Sequence, residues 1–315
     1  MRTRPIRAGE LERFAEAGDP EHHEDYKCHL EKMFAAGTMS PERCFVIEKE
    51  NEILGRVAFW TLPTTEEPYA LELLDVGWDG DYLSVGVTLL SNVLGEARSL
   101  GSKKIVHVLD APPRYPWWQE SPDKRIELLE NVGFTMKRET NRFERRREDA
   151  PPTVPKRLAF RTLEEVGEEA FVDAMSRVSE GTLDREIQDE REHMGPERAA
   201  RQFFEDSSKL EYDARWWQLA YDKPGGELIG LVMPAKNPVS MTINYIGVVP
   251  EHRGKGYVDD LLALGTTTLH EAGPEDIAAD TDARNKPMAA AFERAGWARF
   301  ARRREYSVDL TSDRA

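Results

Sequence analysis

The chain has 315 residues with 43 Lys and Arg against 58 Asp and Glu, a net charge of −15 at pH 7, divided as −7 over residues 1–150 and −8 over the rest. Acidity spread over both halves argues against nucleic acid, whose binders carry a basic footprint, and no run approaches the ~20 apolar residues that cross a bilayer, so no membrane partner is expected. At 40% hydrophobic and 9% aromatic the composition is that of a folded chain, long enough for about two domains.

The start, Met1 to Glu10, lacks the apolar core of a signal peptide. Cys28 and Cys44 have neither metal nor redox spacing, which points to a reduced cytoplasm. A short strand is expected near Ile6, then a helix holding Leu11, Phe14 and Ala15, and a second from about Asp25 to Ala36 closed by Gly37 and Pro41. His22-His23 precede an acidic run and read as a solvated loop. Strands follow at 44–48, 53–60 and 69–76, then a helix from Tyr82 to Leu100, a strand at 104–109, a helix from Pro122 to Asn131, and a basic final strand past Gly133-Phe134. Residues 147–155, Arg-Glu-Asp-Ala-Pro-Pro-Thr-Val-Pro, form a stiff, extended linker.

The second half repeats this order: a strand at 157–161, helices over 163–178 and 185–206, strands at 216–221, 228–233 and 241–249 with a turn at Lys223 to Gly226, a helix rich in Leu261, Leu262, Leu264 and Leu269, a strand at 277–281, a helix from Lys286 to Arg294, and a basic last strand past Gly296-Trp297. Gly55 recurs as Gly230, Val76 as Val248 and Gly133 as Gly296, with spacings that shrink from 175 to 163. Most of the shrinkage falls across Ala111 to Pro122, an insertion in the first copy bearing Tyr115, Trp117 and Trp118, which reads either as core packing or as one wall of a cleft.

The most informative stretch is Tyr245-Ile-Gly-Val-Val-Pro-Glu-His-Arg-Gly-Lys-Gly-Tyr257. β-Branched residues end at Pro250, which cannot donate to a sheet ladder. Gly254 and Gly256 admit close approach of a ligand. The helix that follows offers unpaired N–H groups and the positive end of its dipole, and Arg253 and Lys255 add charge. Such a loop cradles a diphosphate. Arg253 to Val258 resembles the Arg/Gln-x-x-Gly-x-Gly/Ala signature of the GNAT superfamily of acetyl-CoA-dependent acyltransferases, with Val258 where Gly or Ala is usual.

The resemblance implies an α/β (α+β) fold present twice, each copy a mixed, mostly antiparallel sheet flanked by helices: a degenerate copy at 1–147, a linker at 148–156 and an acetyl-CoA-binding copy at 157–315. Val248, Val249, Arg253, Gly254, Lys255, Gly256, Tyr257 and Val258 would hold the cosubstrate. Asn285, which is equally suited to cap a helix, would bond the pantetheine arm, and Phe292, which would pack the thioester, stands where many relatives carry a proton-donating Tyr. Thr242 stands where some relatives carry a glutamate base. Asp280 and Asp282, two apart on one strand, share a face and are candidates for a general base. Asn244 and Tyr245 on the neighbouring strand are candidates for holding the thioester oxygen and donating a proton.

Glu180, Asp184 and Trp217 are candidate acceptor contacts, with helix capping as the competing use of Asp184 and core packing that of Trp217. At a spacing of 172, Arg253 falls on Asp81 in the first copy, so that copy is expected to bind the cosubstrate poorly. The function implied is acyl transfer from acetyl-CoA to a primary amine of a small molecule by a monomer or homodimer; the alternative is a non-catalytic acyl-CoA-binding or scaffold protein.

Overall fold

A computed structural model describes residues 1–7, 9–62, 65–223, 226–237, 240–273 and 276–311. The first half contains β1 (Arg2–Pro5), α1 (Leu11–Glu16), α2 (His23–Ala35), β2 (Cys44–Lys49), β3 (Glu52–Thr61), β4 (Pro68–Val76), α3 (Tyr82–Ser99), β5 (Lys104–Ala111), α4 (Pro122–Asn131) and β6 (Thr135–Arg145). The second contains β7 (Leu158–Thr162), α5 (Leu163–Val166), α6 (Glu168–Val178), α7 (Arg185–Met194), α8 (Pro196–Ser207), β8 (Gln218–Asp222), β9 (Leu228–Lys236), β10 (Met241–Val248), α9 (Tyr257–Ala272), β11 (Ile277–Asp282), α10 (Lys286–Arg294) and β12 (Ala298–Asp309). Two helices expected to be continuous are each broken at a glycine with left-handed φ: Gly167 at +78° divides α5 from α6, and Gly195 at +86°, followed by Pro196, divides α7 from α8. Pro224 and Gly225, in the expected turn after Lys223, lie outside the described residues.

The repeat is physical. Gly55 of β3 faces Val76 of β4, and Gly230 of β9 faces Val248 of β10. A Cβ on Gly55 would meet the Val76 side chain at 2.8 Å, and one on Gly230 would meet the Gly247 carbonyl oxygen at 2.1 Å, so both copies need glycine for the same crossing of strands.

The compact units are not the two sequential halves. One comprises Met1–Arg138 with Arg303–Ala315, the other Glu139–Arg302. Each copy's last strand ends in the other copy's sheet. Residues 140–145 of β6 pair antiparallel with β11. The end of β12 neighbours β5, and Leu310 N–H donates to Lys103 O at 2.8 Å. The expected division at the proline-rich segment follows chain order, which does not record strand exchange.

In the second unit the sheet runs β6-β11-β10-β9-β8-β7. Leu261, Leu262 and Leu269 of α9 and Ala291 and Phe292 of α10 cover one face, and Phe171, Val172 and Met175 of α6 with Phe204 of α8 cover the other. Ladder register slips between Ile243 and Tyr245, a β-bulge at Asn244. Strict alternation would place Ile243 and Tyr245 on one face; the bulge sends Ile243 to the α9 layer and Tyr245 to the α6 layer.

Candidate active site

β10 and β11 pair in parallel at Met241↔Ile277 and Thr242↔Ala278. The described rungs end there, while β10 runs on to Val248 and β11 to Asp282, so the strands part and leave ladder groups open on facing edges. Extended, amide-bearing ligands bind such edges. At the open end lies the loop 249–256. Gly254 and Gly256 both have φ of +75°, and Gly256 is the N-cap of α9. The first N–H groups of α9 have no acceptor within the helix and face its N-terminus.

Arg253 does not stand free in this loop. Its Nε donates to Val248 O at 3.1 Å, and its Nη atoms donate to Val178 O at 2.8 Å, Glu180 O at 2.6 Å and Gly181 O at 3.3 Å. The guanidinium thus satisfies the last carbonyl of α6, that of Val178, and two in the turn that follows it. Lys255 donates to Glu251 O at 3.1 Å and remains exposed. Tyr257 lies under the Arg157 guanidinium, 4.7 Å from its ring centroid, and Val258 is half-buried beside it. Val248 and Val249 are buried, and Val249 N–H donates to Ile229 O at 2.9 Å.

Beyond the split, the two expected carboxylates have separate partners. Asp282 is 2% exposed; its Oδ2 accepts from Arg185 N–H at 3.1 Å and its Oδ1 from Arg284 N–H at 2.8 Å. Asp280 is exposed and accepts from Arg142 Nε at 3.2 Å. They share a face of β11, as their spacing predicts, but each is engaged elsewhere rather than with the other. Asn244 donates to Ser207 Oγ at 2.9 Å. Tyr245 packs against Phe203, ring centroids 5.0 Å apart, and burial pushes its phenol pKa well above the usual range, which does not suit a proton donor at neutral pH.

Asn285 caps α10, its Oδ1 accepting from Met288 N–H at 3.2 Å. Phe292 is 1% exposed and stacks on Phe143, so it belongs to the core rather than to a thioester wall. Trp217 is fully buried, its Nε1 donating to Pro234 O at 3.0 Å and its ring stacked on Tyr212; it precedes β8 and is a core residue, not an acceptor contact. Asp184 caps α7 through Ile187 N–H at 3.2 Å, and Glu180 is exposed beside it. Thr242, where relatives place a base, forms the last rung before the split.

A residue outside these expectations is Gly247. A Cβ there would lie 2.2 Å from Val178 Cγ1, so glycine lets the end of α6 close on β10. A lone glycine within a β-branched run is the sequence signal for such an approach. A separate cleft of about 690 Å³ lies between α6, β8, the start of β9 and Glu251-His252, and none of the residues expected at the active site lines it.

The first unit has the corresponding split, closed by side chains. β4 and β5 pair in parallel at Ala70↔Val106. His107 Nδ1 donates to Leu71 O at 2.9 Å, and Arg125 of α4 donates to Leu74 O and to Asp75. The loop between β4 and α3, residues 77–81, is three residues shorter than its counterpart 249–256. Asp81 is the N-cap of α3, so it corresponds to Gly256 rather than to Arg253, and the constant spacing of 172 mis-registers the loop. The insertion packs on its own unit: Trp118 stacks on His22 at 3.9 Å and donates to Asp25 at 2.9 Å. His23 lies near Glu12 and Glu24, company not foreseen from sequence, but Lys27 already pairs Glu12 at 2.7 Å.

Burial lowers the His107 pKa from 6.5 to about 4. The unfolded chain therefore takes up this proton first, and the stability tied to neutral His107 is complete above pH 6.5 and lost as pH falls toward 4. Between pH 7.5 and 5 this amounts to about 2 kcal/mol. Urea denaturation at the two pH values is expected to show that loss in the wild type and not in His107→Asn, which keeps a donor for Leu71.

A parted strand pair ending in a glycine loop and a helix N-terminus is an α/β arrangement suited to an extended ligand with an anionic end. Residues 182–297 match the acetyltransferase (GNAT) family model. No curated protein sequence matches it. Among solved structures it is similar to a GCN5-related N-acetyltransferase from Sphaerobacter thermophilus (15% identity, TM-score 0.61, covering 98% of this chain and 95% of that one). It is likewise similar to a tandem GNAT protein from the clavulanic acid biosynthesis pathway (15%, 0.51, 99% of each chain). A third is the glucosamine N-acetyltransferase region of a fungal multi-domain β-N-acetylglucosaminidase (15%, 0.57, 98% of this chain and 38% of that one). These likenesses establish the fold: the tandem GNAT arrangement spans the chain. Among the described residues, no helix is long and apolar enough to cross a membrane.

Proposed function

We propose that the second unit binds acetyl-CoA and transfers its acyl group to a primary amine of a small molecule. Members of the GNAT family use acyl-CoA, and the thioester supplies an activated acyl carbon. The observation that carries the reading is the parting of β10 from β11 beyond Thr242↔Ala278, with Gly254, Gly256 and the start of α9 at its open end. The open ladder edges suit the two amides of a pantetheine arm, and the helix N-terminus suits a diphosphate.

Main-chain N–H groups on the open edge of β10 are the proposed donors to the thioester oxygen, since the Asn244 amide is engaged by Ser207. The acceptor nitrogen attacks the acyl carbon, the carbon–sulfur bond breaks, the thiolate takes up a proton and the new amide loses one. With Asp282 bound by two amides and Asp280 by Arg142, attack by an already neutral amine, its proton passing to solvent, fits best. The first unit, with its split laced by His107 and Arg125, is assigned no cosubstrate. Calorimetry is expected to give one acetyl-CoA per chain, and thiol release against a panel of small amines to give turnover; absence of binding, or binding without turnover on any amine, rejects the proposal.

A further inference from the structure

Two bonding patterns at the site meet on one segment. After β10, Arg253 holds the carbonyls of Val178, Glu180 and Gly181. At the end of β11, Asp282 holds Arg185 N–H, and Arg284 reaches Gln188 Oε1 at 3.3 Å. Residues 178–188, the junction of α6 and α7, are therefore pinned from both banks of the split. We infer that this junction is a bridge over the mouth of the groove, and that Arg253 and Asp282 are its two anchors: positioning residues that set the acceptor's entrance, not a phosphate ligand and a general base.

The chemistry of each anchor agrees. A guanidinium whose nitrogens point at four carbonyls is oriented by them and offers few donors to an anion. A carboxylate accepting two backbone N–H bonds, from Arg185 and Arg284, has its lone pairs engaged and its orientation fixed. Between the anchors Gly181 has φ of +60°, so the chain reverses without strain. Gly247 lets Val178 sit against β10, fixing the near bank. The loop that would grip the cosubstrate is thus tied directly to the segment an acceptor must pass.

The inference rests on the proposed function only for its kinetic arm. In the full chain without ligand, Arg253→Ala and Asp282→Ala are each expected to speed amide hydrogen exchange across 178–188 by at least ~10-fold, with Arg253→Lys intermediate because an ammonium cannot span four carbonyls. Acetyl-CoA affinity of Arg253→Ala, by calorimetry, should fall less than ~5-fold. Unchanged exchange together with a ~100-fold loss of affinity would restore Arg253 as a phosphate ligand and overturn the inference.

For Asp282→Asn the amine KM is expected to rise about ten-fold, more than kcat falls, with the kcat pH profile unmoved. A kcat lowered ~100-fold at constant KM, with the profile's acid limb lost, identifies a base and overturns it as well. Should the wild type turn over no amine, the functional proposal fails, and the exchange measurements still decide the bridge.

Discussion

Asp75→Ala is expected to destabilise the first unit by about 3–5 kcal/mol, a large share of the ~5–15 kcal/mol that holds a domain folded. Asp75 lies between two arginines that are themselves buried: Arg56, 0% exposed, donates to Oδ2 at 2.9 Å, and Arg125, 1% exposed, donates to Oδ1. Arg56 also donates to Phe14 O and Ala15 O and lies over the Tyr26 ring at 4.0 Å, and Arg125 lies over the Trp78 ring at 4.3 Å. Removing the carboxylate leaves two guanidiniums out of water with no counter-ion among the described residues. The cost comes from that stranding rather than from the worth of the pair.

A triple variant tests this: Arg56→Met, Asp75→Leu and Arg125→Met together should recover most of the loss, since apolar replacement of a buried ion network is often neutral. Urea denaturation followed by tryptophan fluorescence reads both. A triple variant as unstable as Asp75→Ala would mean that the carbonyl bonds of the arginines, not charge pairing, hold the unit.

This network explains how much could be read in advance. The repeat was legible because Gly55 and Gly230 answer one steric demand, and the loop because proline, glycine and basic residues each have a local reason to be there. Arg125 gave no such signal: on a polar helix an arginine reads as solvated, and only the fold brings it under β4. Trp217 and Phe292 look alike in sequence whether they line a cleft or a core. Asp280 and Asp282 do share a face, as alternation requires, but register with β6 gives one to Arg142 and the end of the strand gives the other to Arg185. The strand exchange between copies was invisible, because a strand's partner is not written in its own alternation.

Gly256→Asp is expected to lower acetyl-CoA affinity by at least ~100-fold while changing stability by about 1 kcal/mol. Gly256 caps α9 with φ of +75°, a region that Asp and Asn enter more readily than other residues. A Cβ there meets nothing nearer than 3.8 Å, so the side chain fits. Its carboxylate can cap the first turn of α9, which offsets part of the backbone cost. The same carboxylate then occupies the N–H groups proposed for the diphosphate and opposes its charge; at ~4 Å, like charges near a protein surface repel by about 4 kcal/mol. The first copy already carries this residue at this place, as Asp81.

Gly256→Asn has nearly the same shape without the charge, and its affinity should fall much less. Calorimetric titration of the two variants separates shape from charge. If Asp and Asn lose affinity equally, the loop acts by backbone freedom alone; if neither loses it, the diphosphate does not bind at this helix.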